Sequence, residues 1–206
     1  MKNSTKKKMI ESYNESLAKH GDSDFRSLNW GDTDGTSARF RYEQMDLEVN
    51  FENKSVAEIG CGWGSFFDFG FICDDYWGID VNPNFVKIAN KKYGGSIDKE
   101  FYVEDVLNMH TQSINHVDVA ISSGVAGNIG GPAYLPEYLI TMLRKMYSIS
   151  NTVLVNFPSN RATVRAEGVE YFAPEYVLSQ ALQITNNVKL IHINKFDFLL
   201  RLDKNE

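Results

Sequence analysis

Cysteine is scarce in this chain of 206 residues: Cys61 and Cys73 are the only two. That is too few for a disulfide framework, and no His or Cys partners stand at the spacing of a closed zinc site. Both thiols are expected to be reduced and structural. Histidine is nearly as sparse. His20, His110, His116 and His192 are dispersed, with no H-x-x-x-H spacing, so a metal is not expected. Long apolar runs are missing too, none approaching the roughly 20 residues that cross a bilayer, which argues against a membrane partner. Basic charge is in deficit, with 21 Lys and Arg against 27 Asp and Glu and a net charge of −6. Such a chain has no global attraction to polyphosphate, and DNA is not an expected partner. Lys2, Lys6, Lys7 and Lys8 resemble the basic start of a secretion signal, but the apolar core that should follow is absent. A cytoplasmic protein is expected. No internal repeat, low-complexity stretch or interdomain linker is visible.

What is present is an alternation. Strand-like runs at Ser55 to Ile59, Tyr76 to Asp80, Glu100 to Val103, Val117 to Ser122 and Asn151 to Phe157 are separated by helical patterns. That order predicts βαβ units and a mostly parallel sheet. Asn82 followed by Pro83 reads as a helix cap and first turn, and Gly94-Gly95 as the stop. From Tyr134 to Tyr147, Leu135, Tyr138, Leu139, Met142, Leu143 and Met146 recur at helical spacing, a core face. Val188 to Ile193 and Phe196 to Leu202, joined by Asn194-Lys195, read as a closing antiparallel hairpin. Residues 1–50 precede the first strand and are expected to be a helical extension or lid, with residues 51–206 as the core.

The most informative segment is Glu58-Ile59-Gly60-Cys61-Gly62-Trp63-Gly64, where a strand ends in three glycines at alternate positions and a helix follows. Glycine tolerates positive φ and lets a ligand approach the backbone. At the end of the first strand, such a loop sits where open α/β sheets bind nucleotides. The dinucleotide fingerprint G-x-G-x-x-G fails, because its sixth position is Ser65. Glu58 would repel a pyrophosphate but suits cationic groups, such as the ammonium and sulfonium of S-adenosylmethionine. Asp80, ending the second strand, can accept from two ribose hydroxyls. Glu104 and Asp105, after the third, can accept from an adenine amine, and the residues leave open which of the two does so.

These stretches resemble class I S-adenosylmethionine-dependent methyltransferases: Glu58 through Gly64 their first motif, Trp77-Gly78-Ile79-Asp80 the second-strand motif, Val103-Glu104-Asp105 the third. The resemblance implies a Rossmann-like α/β fold, a seven-stranded sheet with an antiparallel C-terminal hairpin strand and helices on both faces. It implies S-adenosylmethionine as cofactor, S-adenosylhomocysteine as product, and a cofactor site of Glu58, Gly60, Cys61, Gly62, Gly64, Asp80, Val81, Glu104, Asp105, Val106 and Ser122. Tyr13, His20-Gly21 and Trp30, with the Lys195-Phe196-Asp197-Phe198 turn, are further similar to small bacterial methyltransferases. Tyr13 and His20 are the catalytic candidates. Tyr13, Trp30, Asn128, Asn156 and Arg161 are the candidates for acceptor contact. The favoured function is methyl transfer to N or O of a small-molecule acceptor. The alternatives are a methyltransferase acting on protein or RNA, and a cofactor-binding protein without catalysis.

Overall fold

The computed structural model describes residues 3–29, 32–109, 114, 116–128 and 135–205. Seven strands form one sheet in the order β3-β2-β1-β4-β5-β7-β6. They are β1 (Ser55–Ile59), β2 (Asp75–Asp80), β3 (Lys99–Val103), β4 (Val117–Ser122), β5 (Ser150–Pro158), β6 (Val188–His192) and β7 (Asp197–Asp203). β1 to β5 run parallel, while β7 lies antiparallel between β5 and β6. The fold is the seven-stranded Rossmann-like sheet expected from the sequence, and the strand boundaries shift by at most one residue.

Central strands of a parallel sheet are covered on both faces, so they read as continuous apolar runs. In β5, Val153, Val155 and Phe157 point to the face covered by α5 (Leu135–Ile149) and α6 (Pro174–Ala181), where they meet Leu139, Met142, Leu143, Met146 and Val177. Leu154 points the other way, into the cluster of α2 (Thr36–Val49) and α4 (Pro83–Tyr93). Met142, Leu143 and Met146 are fully buried, and truncating one to alanine should cost about 2–5 kcal/mol. The α4 helix starts as its sequence indicates: the Asn82 side chain accepts from Asn84 N at 3.0 Å, and Pro83 takes the first turn.

Part of the expected extension, residues 1–50, packs on the sheet. Ala38, Tyr42 and Met45 of α2 are spaced to share one helical face, are buried, and the latter two pack with Phe66, Tyr76 and Leu154. This helix belongs to the core. The separate part is α1 (Asn3–His20), which ends where Gly21 (φ 84) donates its N–H to Leu17 O at 2.8 Å, followed by a 3-10 turn at Phe25–Leu28. Tyr13 and Leu17 pack against Phe25, Leu28, Trp63 and Phe85. At its other end, α1 places Lys6 beside Asp105. The helix therefore crosses the carboxyl ends of β3, β2 and β1 rather than the back of the sheet.

Candidate active site

The chain runs outward from β1 to β2 and β3, then returns to the other side of β1 as β4. This reversal opens a crevice at the strand ends, where α/β sheets bind ligands. A cleft open to solvent lies there. Its floor is the loop after β1, with Gly60, Cys61, Gly62 and Ser65, and the end of β2, with Asp80 and Val81. Ser123, Gly124 and Val125 form one wall, and Tyr138 and Phe85 others. Met9, Tyr13 and Leu28 roof it.

The glycine loop is pinned from below. Gly60 N and Cys61 N donate to Ile79 O at 2.7 and 3.2 Å. Gly62 N instead donates to Asp80 Oδ2 at 3.0 Å, while Asn82 N donates to Oδ1 at 2.8 Å. Asp80 thus ties the loop after β1 to the start of α4, and each of its oxygens keeps acceptor capacity toward the cleft. Burial raises its pKa above the usual carboxylate range, against the backbone donors of Asn82, Gly62 and Val81. Glycine is required at 60 for space as well as conformation: at φ 78, a Cβ there would lie 2.0 Å from Val125 Cγ2. Gly64 (φ 85) serves packing, since a Cβ would meet the Tyr93 ring at 2.9 Å.

Glu58 does not line the cleft. Its carboxylate is buried on the α2 side, where the hydroxyls of Tyr42, at 2.5 Å, and Tyr76 each donate to one oxygen. Glu58 is expected to favour a cationic cofactor directly or through water and backbone, and its link to the cleft runs through Tyr42, which lines it. Ser122 is likewise turned away, its hydroxyl donating to Ile59 O at 3.0 Å across the β4–β1 pair. Its neighbour Ser123 faces the cleft instead, 3% exposed and with no hydrogen-bond partner for Oγ among the described residues. Val106 is a core residue of the α5 face. Glu104 donates its backbone N–H to Asp80 O at 3.0 Å, whereas Asp105 is a buried carboxylate, 6% exposed, and is paired with Lys6. Of the acidic pair, Asp105 is the one turned inward.

Among the acceptor-side candidates, Tyr13 is in the roof, edge-on to Phe85 at 5.6 Å. Its phenol stays protonated well above the usual range, through burial and the nearby Asp80. His20 lies outside the cleft: it is two helical turns beyond Tyr13, about 10 Å along the axis. Asn156 is buried and accepts from Gly124 N at 2.7 Å, so it shapes the wall rather than lining it. Arg161 is exposed and pairs with Glu175. Trp30 lies outside the described residues, as does the side chain of Asn128. Leu28, Tyr42, Phe85 and Ser123 were not among the expected site residues. Ser123 had a signal, as the residue just past a strand end.

By sequence, residues 57–147 match the family described as methyltransferase domain. Their surroundings are consistent with that in fold. The N-methyltransferase NodS from Bradyrhizobium japonicum WM9, solved in complex with S-adenosyl-L-homocysteine, superposes with a TM-score of 0.69 at 18% identity, covering 96% of this chain and 99% of that one. Magnesium protoporphyrin IX methyltransferase (ChlM) from Synechocystis PCC 6803, with bound SAM, gives 0.66 at 14% identity over 98% and 97%. No curated protein matches the chain by sequence. No helix among the described residues is long and apolar enough to cross a membrane.

Proposed function

We propose that the chain transfers a methyl group from S-adenosylmethionine to N or O of a small-molecule acceptor, with α1 and the following 3-10 turn as a lid. The observation that carries this reading is Asp80, a carboxylate that lines the cleft while holding Gly62 N at 3.0 Å, inside a methyltransferase domain. The residues fit such a cofactor: a glycine floor with positive φ at 60 and 62, an acceptor for ribose hydroxyls in Asp80, and a buried hydroxyl in Ser123 that has no partner among the described residues. Asp105 is the acceptor for the adenine amine. The cofactor would supply the chemistry, a sulfonium methyl whose carbon an aligned lone pair attacks in line as the carbon–sulfur bond breaks and S-adenosylhomocysteine leaves.

The chain supplies position. Tyr13, Leu28 and Phe85 exclude water, and Ser123 and Gly124 border the space beyond the glycine loop, where an acceptor must approach. Asp80 is the one carboxylate among the described residues lining the cleft, and it is engaged by two backbone donors. Tyr13 keeps its proton. An acceptor therefore loses its proton to water or enters with a free lone pair, and no dedicated base is assigned. The small cleft and the acidic balance support a small molecule over protein or RNA, and two free thiols suit a cytoplasmic setting.

The deciding experiment offers labelled S-adenosylmethionine with fractionated metabolites and, separately, with protein and RNA. Label in a metabolite fraction is expected. Label in protein or RNA would replace the acceptor class, and binding without transfer to any fraction would leave a cofactor-binding protein.

A further inference from the structure

Three consecutive lysines near the start of α1 are not equivalent. Lys7 is 79% exposed and reaches only toward Glu11, whereas Lys6 is 27% exposed, with Nζ 3.2 Å from Asp105 Oδ2. Lys6 points inward because α1 is fastened along the same side. Tyr13 packs on Phe85, and the Asn14 side-chain oxygen accepts from Asn82 Nδ2 and Asn84 Nδ2 at 3.1 and 2.9 Å. Met9, one turn beyond Lys6 on that face, lines the cleft. The Lys6–Asp105 pair therefore stands behind Met9 and Tyr138, at the margin of the cleft that those two residues line.

Neither partner is saturated. Asp105 Oδ1 accepts from Leu107 N at 3.1 Å and Oδ2 from Lys6, which uses two of the roughly four acceptor positions of a carboxylate. The ammonium spends one of three donors on Asp105. What remains is an acceptor and a donor side by side, with fixed order.

Building on the cofactor reading above, we propose that Lys6 is a cofactor-recognition residue, forming with Asp105 a donor–acceptor pair that reads the amino edge of adenine. Asp105 accepts from the exocyclic amine and Lys6 donates to the ring nitrogen beside it. The pair is selective by sign. A 6-oxo purine would set its carbonyl against the carboxylate and its ring N–H against the ammonium, mismatching both. The segment that roofs the cleft thereby also contributes to cofactor specificity.

Calorimetry on the full chain tests this with S-adenosylhomocysteine and its deaminated 6-oxo analogue, S-inosylhomocysteine. The wild type is expected to prefer the adenine compound more than tenfold. Lys6→Met should bind it about tenfold more weakly, a loss of about 1.4 kcal/mol, and should narrow the preference. Lys6→Arg keeps the cation and should recover much of the loss, while Lys7→Met should match the wild type. Lys6→Met binding S-adenosylhomocysteine as tightly as the wild type, or more tightly, overturns the proposal, since Lys6 would then merely plug the carboxylate. A wild type that binds neither compound removes the cofactor reading itself.

Discussion

The Tyr42 hydroxyl donates to Glu58 Oε1 at 2.5 Å inside the core, while Tyr76 holds the other oxygen of the same carboxylate. Burial lifts Glu58 from its ordinary 4.5 to about 7, although both tyrosine donors pull it down. Between those values the folded chain keeps a proton that the unfolded chain has lost, so stability falls as pH rises through this window and levels off above it. The full change is about 3 kcal/mol, at 1.36 kcal/mol per pH unit. Urea unfolding from pH 4.5 to 7.5 should show this slope in the wild type and not in Glu58→Gln. Identical slopes would remove Glu58 as its source.

Asp80→Ala removes a ribose acceptor and also the partner of Gly62 N and Asn82 N. S-adenosylhomocysteine should bind at least tenfold more weakly, from about 1.5–3 kcal/mol per charge-assisted bond lost. The thermal midpoint should fall as well, because two backbone donors lose their acceptor. An unchanged dissociation constant would make Asp80 a loop clamp only.

Gly60→Ala should destabilise the chain and abolish cofactor binding, since the new methyl would lie 2.0 Å from Val125 Cγ2 at a φ of 78. Adding Val125→Ala removes the clashing methyl but not the backbone strain, so rescue should be partial. Thermal melts of the single and double variants measure the split. No rescue at all would mean that the backbone conformation alone forbids a side chain.

Ser123→Ala deletes a buried hydroxyl without a partner among the described residues. The ligand-free protein should gain about 1 kcal/mol, whereas the stabilisation conferred by S-adenosylhomocysteine should shrink. A less stable ligand-free variant would show that the hydroxyl has a partner in solution.

Removing residues 1–23 takes away α1 but leaves Phe25 and Leu28 on Trp63. The shortened chain should fold, bind S-adenosylhomocysteine more weakly and lose most methyl transfer. Normal turnover would end the lid assignment.

Much of the sheet was legible because central parallel strands must be apolar on both faces, and because Asn82-Pro83 and the alternate glycines declare their backbone geometry. The side chains around the cleft were less so. Nothing local to Glu58 shows that Tyr42 and Tyr76 will enclose it, since both contacts depend on helix and strand packing. Ser122 and Ser123 differ by one position, yet at a strand end that position decides between the β1 backbone and the cleft. The α2 helix looked like part of an extension because it precedes the first strand, whereas its buried face is set by the sheet. Lys6 carried a readable signal: with Met9, Tyr13 and Leu17 it recurs at three- and four-residue steps, which separates it from its two neighbours.

Cys61 sits in the glycine loop, 1% exposed and lining the cleft, with its thiol held neutral by burial and by Asp80 and Glu58. A thiol so placed resists alkylation and oxidation while the loop stays packed. Its sulfur packs beside Gly78 in the cluster of Tyr42, Phe66 and Tyr76, so its labelling rate is a clock for loosening of the glycine loop against that cluster. Ligands that hold the loop in place should slow that clock, giving a readout of binding that needs no knowledge of the acceptor.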